Sequence, residues 1–116
     1  MEYLARAMRL SPLDPLIADM QAAMAFALFF AGRYDEAFSW AQKAVRGLPN
    51  WLLGTCIAAA AAALSGRSKE AQQAMARARE MYPAWRLSHV RKMRLFRRPE
   101  DVAKYVEGLQ KAGLPE

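Results

Sequence analysis

Two stretches of this chain match each other at a fixed offset of 34 residues. Six residues recur at that offset: Gly32, Arg33, Glu36, Ala37, Ala44 and Pro49 reappear as Gly66, Arg67, Glu70, Ala71, Ala78 and Pro83. A constant period of about 20 to 50 residues is typical of proteins that stack one supersecondary unit on the next. The offset therefore predicts a repeat protein, in which each unit buries its apolar surface against its neighbours.

The recurring residues fit a unit of two antiparallel helices. Gly32 predicts the end of the first helix, because glycine readily adopts the left-handed conformation that follows many helices. Ala37 falls in the second helix, where a small side chain permits close packing. Pro49 follows that helix and ends it. Asn50 is then a candidate N-cap for a helix that begins at Trp51, and the second stretch repeats the order of Gly, Ala and Pro.

On these residues the chain resembles the tetratricopeptide repeat (TPR) family, over about residues 15–83. The resemblance implies an all-α fold, an α–α superhelix of antiparallel helix pairs with about two full repeats and capping helices. We place the first unit at residues 14–50 and the second at 51–83. The family's Trp and Tyr of the first helix are absent, whereas small residues stand at Ala25 and Ala59, where the family has glycine.

The flanking segments predict partial repeats or caps, since single repeats bury too little surface to fold alone. Residues 1–13 match the end of a preceding repeat helix, so we expect the chain to begin in mid-repeat, as the C-terminal fragment of a larger bacterial protein. Residues 84–98 predict a degenerate basic helix or connector. Residues 99–116 predict a capping helix, with Pro99 in its first turn and Gly113 after its end.

This last predicted helix has an apolar stripe at the i, i+3, i+4 and i+7 positions, formed by Val102, Tyr105, Val106 and Leu109. The tail that contains it, residues 96–116, follows two TPR-like units and resembles the extreme C-terminus of bacterial class III adenylate/guanylate cyclases. That resemblance implies an alternative function, a regulatory or dimerising region of a cyclase whose catalytic domain is absent from this chain. It carries over no catalytic residue.

The residues indicate no catalytic chemistry. The chain has one cysteine, Cys56, and one histidine, His89, and it lacks a glycine-rich phosphate loop, His-Glu-x-x-His and Cys-x-x-Cys. We therefore predict a chain that is not an enzyme and uses no cofactor or metal. A single cysteine cannot form an internal disulfide, which favours the cytoplasm. The apolar stretch 16–30 is interrupted by Asp19 and is shorter than the roughly 20 residues of a membrane span, so we predict no span.

The TPR resemblance implies that ligands bind a concave face built by the first helix of each unit. The matching positions are Asp19, Ala22, Phe26, Phe29 and Phe30 in the first unit and Leu53, Cys56, Ile57 and Ala60 in the second. We expect an apolar groove for a protein or peptide partner, with an apolar helix as the best fit. Alternatively, the phenylalanines belong to the core. Self-association through exposed repeat faces is a further alternative, with candidates Tyr3, Leu4 and Met8.

The charge balance raises one more alternative. The formal net charge is +6, and six cations crowd into one short segment: Arg86, Arg91, Lys92, Arg94, Arg97 and Arg98. Trp85 and Phe96 flank the segment, so two lesser alternatives are a basic nucleic-acid-binding helical domain and a surface for an acidic protein partner. Because such clusters more often form a solvated face, the main prediction is a non-catalytic module for protein–protein interaction or oligomerisation.

Overall fold

The computed structural model describes residues 17–92 and 98–116. Within these ranges it contains six helices and no strand. The helices are α1 (Ile17–Phe30), α2 (Tyr34–Gly47), α3 (Leu52–Leu64), α4 (Ser68–Met81), α5 (Leu87–Lys92) and α6 (Pro99–Ala112). Helix α1 packs against α2, and α3 packs against α4. The all-α helical-repeat fold predicted from the sequence is therefore confirmed.

The turn inside each helix pair is the same in both repeats. Gly32 and Gly66 have positive φ angles of 82° and 84°. In the first turn the backbone N–H of Arg33 donates to the carbonyl of Leu28 at 2.9 Å, and the equivalent bond in the second turn measures 2.8 Å. A left-handed glycine with this backbone bond is the Schellman motif. The two glycines thus end α1 and α3, as the offset predicts.

The arginine after each glycine has a different partner in each repeat. Arg33 forms a bidentate ion pair with Glu36, with N–O distances of 2.7 and 2.6 Å. Its equivalent, Arg67, pairs instead with Asp35 of the first unit and donates to the Ser65 hydroxyl at 2.9 Å. Exposed pairs of this kind add little stability. The second pair nevertheless shows that the start of α2 lies beside the turn between α3 and α4.

The alanine-rich helix α3 is the centre of the fold. It packs against α2, α4 and α6, and every residue from 54 to 63 is buried. A helix that is apolar around its whole circumference is expected in a protein interior. Because most of its side chains are small, the three neighbouring helices approach it closely. Close approach of the neighbours therefore replaces the side-chain volume that α3 lacks.

Helix α6 and the C-terminal tail fold back on α5. Helix α6 has the predicted bounds, and Gly113 follows it with a φ angle of 115°. The N–H of Leu114 closes the helix end by donating to the Leu109 carbonyl at 3.0 Å. Beyond this turn, Leu87 of α5 donates its N–H to the carbonyl of Pro115 at 2.9 Å. The tail is therefore bonded to the start of α5.

The start of α3 differs from the prediction. The helix begins at Leu52, and its N-cap residue is Trp51, without a side-chain capping bond. Asn50 lies one residue earlier, where its Oδ1 accepts a hydrogen bond from Nη2 of Arg77 at 3.2 Å. Asn50 therefore joins α4 to the loop between the repeats instead of capping α3.

Some predictions concern parts of the chain outside the described residues. These parts are residues 1–13 with Tyr3, Leu4 and Met8, the first unit before Ile17, and residues 93–97 of the basic connector. Among the helices in the described ranges, none is long and apolar enough to cross a membrane.

Candidate protein-interaction surfaces

Residues predicted for the concave face converge on one side chain of α6. Phe26 and Phe29 of α1 lie next to Tyr105, with ring-centroid distances of 5.6 and 6.1 Å. Cys56 of α3 also lies against Tyr105. We call the surface formed by Phe26, Phe29, Cys56 and Ala60 the α1–α3 face. These residues, which are distant in sequence, thus lie close to one another around Tyr105.

This face does not form the open groove that the sequence predicts. Phe29 and Cys56 are completely buried, so no partner can reach them while the chain keeps this conformation. Of the nine predicted residues, Ala22, Phe29, Cys56, Ile57 and Ala60 are buried, Phe26, Phe30 and Leu53 are partly buried, and Asp19 is exposed.

Helix α6 covers the α1–α3 face. Gly108 lies directly on Ala60: an ideal Cβ at Gly108 would be 2.9 Å from the Ala60 Cβ and 3.1 Å from its Cα and carbonyl oxygen. These distances leave no room for a side chain at position 108, so the two helices are in very close contact. Tyr105, one turn earlier, is 1% exposed. The predicted capping helix therefore occupies the surface predicted for a partner.

Cys56 lies within this contact, and its thiol has low reactivity. Burial raises the pKa of its thiol to about 12, and polar contacts with Trp85 and Tyr105 offset only part of the rise. Burial also raises the pKa of the Tyr105 hydroxyl well above its ordinary value. Because the thiolate is the reactive form of cysteine, a thiol in this environment is not a nucleophile at neutral pH.

We expect Cys56 to react with iodoacetamide only when the chain opens. At about pH 8.5 the thiol of the urea-unfolded chain is partly ionised and exposed, whereas the native thiol is neither. Mass spectrometry should show rapid labelling in urea and slow labelling without it. Above pH 9.0 the unfolded chain loses a proton that the folded chain keeps, so the free energy of unfolding should fall as the pH rises. Rapid labelling of the native chain would contradict this burial.

The predicted basic patch is partly neutralised by carboxylates. Arg91 forms a bidentate ion pair with Glu116, with N–O distances of 2.6 and 3.3 Å, and Arg98 pairs with Glu100 at 3.4 Å. The described members therefore do not form the run of uncompensated cations that a phosphate backbone attracts. The other members are Arg86, which is partly buried, Lys92, which is exposed, and Arg94 and Arg97, which lie outside the described residues.

A second surface lies at the loop between α4 and α5; of its residues, only Trp85 is linked to binding by the sequence, as a flank of the basic segment. Tyr82 is 54% exposed and meets Trp85 edge-to-face at a ring-centroid distance of 6.3 Å. Trp85 in turn stacks on His89 at 5.7 Å, with the rings 11° from parallel. We call these three residues the aromatic edge.

The repeat offset contains a signal for the aromatic edge. Tyr82 and Leu48 are the exposed large apolar residues of the described ranges, and they stand 34 positions apart. Trp51 and Trp85 are related in the same way. The recurrence of large apolar residues on either side of each inter-repeat proline is therefore a sequence signal for an apolar surface at these loops.

A third surface is a concavity between α2 and α4, with a volume of about 320 Å³. Thr55 and Ala58 of α3 line it together with Phe38 of α2. On the helical circumference these two α3 positions are roughly opposite Cys56 and Ala60. A molecule bound there would not compete with α6. The other lining residues are Gln42, Val45, Arg46, Glu70, Gln73, Ala74 and Arg77.

No group of three or more His, Cys, Asp or Glu side chains that could hold a metal ion occurs in the described parts of the chain. No protein-family model matches the chain, and no curated protein matches it. The resemblances to TPR proteins and to the C-termini of cyclases therefore stay predictions from the sequence.

Proposed function

We propose that this chain is a non-catalytic helical-repeat module that binds amphipathic helices on its α1–α3 face. The observation that supports the proposal is the docking of α6 on that face. Tyr105, Val106 and Leu109 of α6 are buried, whereas Glu107 and Gln110 are exposed. An amphipathic helix with its apolar side in a groove is a common mode of peptide recognition.

The contacts of α6 define which helix would fit. The closest contact, at Ala60, admits only a residue without a side chain, Gly108. Three positions earlier, the aromatic ring of Tyr105 packs against Phe26 and Phe29. Such aromatic pairs contribute about 0.5 to 1.5 kcal/mol each beyond their buried area. A partner helix should therefore carry an aromatic residue followed three positions later by glycine.

The covalent link between α6 and the repeats has a consequence for any partner. A linked helix has a high effective concentration at its site, so a free helix of equal affinity competes poorly with it. A partner must displace α6, or a second copy of the chain must exchange α6 with the first. Exchange would produce the oligomerisation that the sequence analysis predicts.

A peptide of residues 98–116, labelled with fluorescein, tests the proposal by fluorescence anisotropy. It should bind weakly to the wild-type chain, whose face is filled. It should bind tightly to the full chain carrying Gly108→Val, because the valine cannot lie on Ala60 and its own helix leaves the face. A peptide that itself carries Gly108→Val should not bind. Ala103→Val, at an exposed position of α6, is the matched control in the protein and should behave like wild type.

Circular dichroism must show that the Gly108→Val chain keeps its helices. If the helices are lost, the test uses Tyr105→Ala instead, because this substitution weakens the packing of α6 without a clash. Failure of the wild-type peptide to bind a folded variant with its face uncovered would overturn the proposal.

A cyclase regulatory role and a cytoplasmic location remain predictions from the sequence. The nucleic-acid alternative has less support, because Arg91 and Arg98 are paired with carboxylates.

A further inference from the structure

The aromatic edge is a firmly held surface. The indole nitrogen of Trp85 is buried, and its side chain contacts Cys56 in the core. The other rings pack on Trp85, Tyr82 perpendicular to it and His89 stacked on its face. The Nδ1 of His89 also accepts a hydrogen bond from the backbone N–H of Arg86 at 3.0 Å. The exposed ring of Tyr82 is therefore held in place by Trp85, which is itself fixed by its contacts with Cys56 and His89.

Arg86 lies beside this edge and forms no ion pair with a described residue. Its Nη1 donates to the backbone carbonyls of Pro83 and Trp85, each at 2.9 Å. Both acceptors are neutral, so they orient the guanidinium without cancelling its charge. Its Nε and Nη2 atoms have no partner in the described part of the chain. This free side of a guanidinium matches the two oxygens of a carboxylate.

The surrounding segment adds positive charge. Residues 79–92 contain four Arg or Lys residues and one carboxylate, Glu80; Arg91 is paired with Glu116, so Arg79, Arg86 and Lys92 supply the positive charge. Arg79, in the last turn of α4, is exposed and has no ion pair with a described residue. The surface therefore combines an exposed aromatic ring with a field that attracts anions.

We propose that the aromatic edge and Arg86 form a docking site for an acidic peptide segment. One carboxylate of the segment binds the free side of Arg86, and a neighbouring apolar side chain packs on Tyr82. The site is separate from the α1–α3 face and does not depend on the function proposed for that face.

The arrangement of the rings favours a peptide over single-stranded nucleic acid. Nucleic-acid platforms present successive aromatic faces on which bases stack. Here His89 already covers a face of Trp85, so Tyr82 is the open ring of the aromatic edge. Arg91, the next cation along the chain, is paired with Glu116. One anion contact beside one apolar contact suits an acidic peptide better than a run of phosphates.

The test uses the full chain and a labelled peptide of about ten residues in which Glu and Leu alternate, followed by fluorescence anisotropy at low salt. The peptide should bind the wild-type chain, and binding should weaken about tenfold in Arg86→Gln and in Tyr82→Ala. Leu48→Ala, the change at the repeat-equivalent position of Tyr82, is the matched control and should leave the affinity unchanged. The same peptide with Gln in place of Glu should not bind.

Three results would overturn the proposal. The first is absence of binding, and the second is equal binding of the Gln peptide. The third is tighter binding of an oligodeoxythymidine of about twelve nucleotides than of the Glu-Leu peptide, with loss of that binding in Arg86→Gln and in Tyr82→Ala. This result would assign the surface to nucleic acid. Because Tyr82 is largely exposed, Tyr82→Ala keeps the test valid even if Arg86→Gln disturbs the start of α5.

Discussion

Replacing Gly108 with alanine is expected to destabilise the chain by about 1 to 3 kcal/mol, although alanine is the better helix former. Helix propensity alone would make the variant about 1 kcal/mol more stable. The added Cβ, however, would lie 2.9 Å from the Ala60 Cβ and 3.1 Å from backbone atoms of α3. None of these atoms can move away by a simple side-chain rotation, so α6 must shift as a whole. Urea unfolding followed by circular dichroism measures the change.

Two further variants separate the effect of the steric clash on stability from the effect of helix propensity. Ala60→Gly removes the closest contact, so it should cost less stability in the Gly108→Ala background than in the wild-type chain, where only its helix-propensity and packing losses count. Ala103→Gly, at an exposed position of the same helix, should cost only the propensity difference of about 1 kcal/mol. If Gly108→Ala proves more stable than wild type, α6 does not lie on α3 as described.

The parts of the fold that depend on local chain conformation could be predicted from the sequence. Gly32 and Gly66 need a left-handed conformation that other residues adopt with difficulty, so their recurrence marks two helix ends. Pro99 and Gly113 bound α6 for similar local reasons. These residues require no knowledge of what packs against them, which is why the predicted helices match the structure closely.

The position of α6 could not be predicted in this way. Its apolar stripe shows that one side is buried but not which surface buries it, because a cap on the last repeat and an occupant of the α1–α3 face need the same pattern. Gly108 was an available signal. Glycine in a helix interior is unfavourable, and it often indicates a close approach of another backbone. The alanine run that includes Ala60 was the complementary signal on α3.

For the candidate site, too, the sequence predicts which residues share a face but not whether that face is exposed. The TPR resemblance assigns Phe26, Phe29, Cys56 and Ala60 to one face, since the first helices of stacked units line the same side of such an array. Their exposure depends on α6, which lies about 50 residues away along the chain from Cys56 and Ala60. The ion pair of Arg91 could not be predicted for a related reason: the carboxylate of Glu116 reaches Arg91 only through the fold of the C-terminal tail.

Replacing Phe29 with alanine should cost about 3 to 5 kcal/mol of folding free energy, the range for deletion of a buried phenylalanine. Phe29 is completely buried and connects three helices. Its ring lies 5.4 Å from that of Phe30 in α1, 5.3 Å from that of Tyr34 in α2 and 6.1 Å from that of Tyr105 in α6. The loss would be a large fraction of the stability of a typical domain. Urea unfolding monitored by circular dichroism gives the value.

The same experiment decides between the two readings of the phenylalanines that the sequence leaves open, core or ligand surface. Phe29→Leu, which keeps most of the volume but loses the ring contacts, should cost less than Phe29→Ala, and Tyr82→Ala, at an exposed position, should change stability by about 0.5 kcal/mol or less. A loss below about 1 kcal/mol for Phe29→Ala would contradict the core assignment. A large loss would place Phe29 in the core that α1 shares with α2 and α6, and a partner helix on the α1–α3 face would then have to replace the contact between Phe29 and Tyr105.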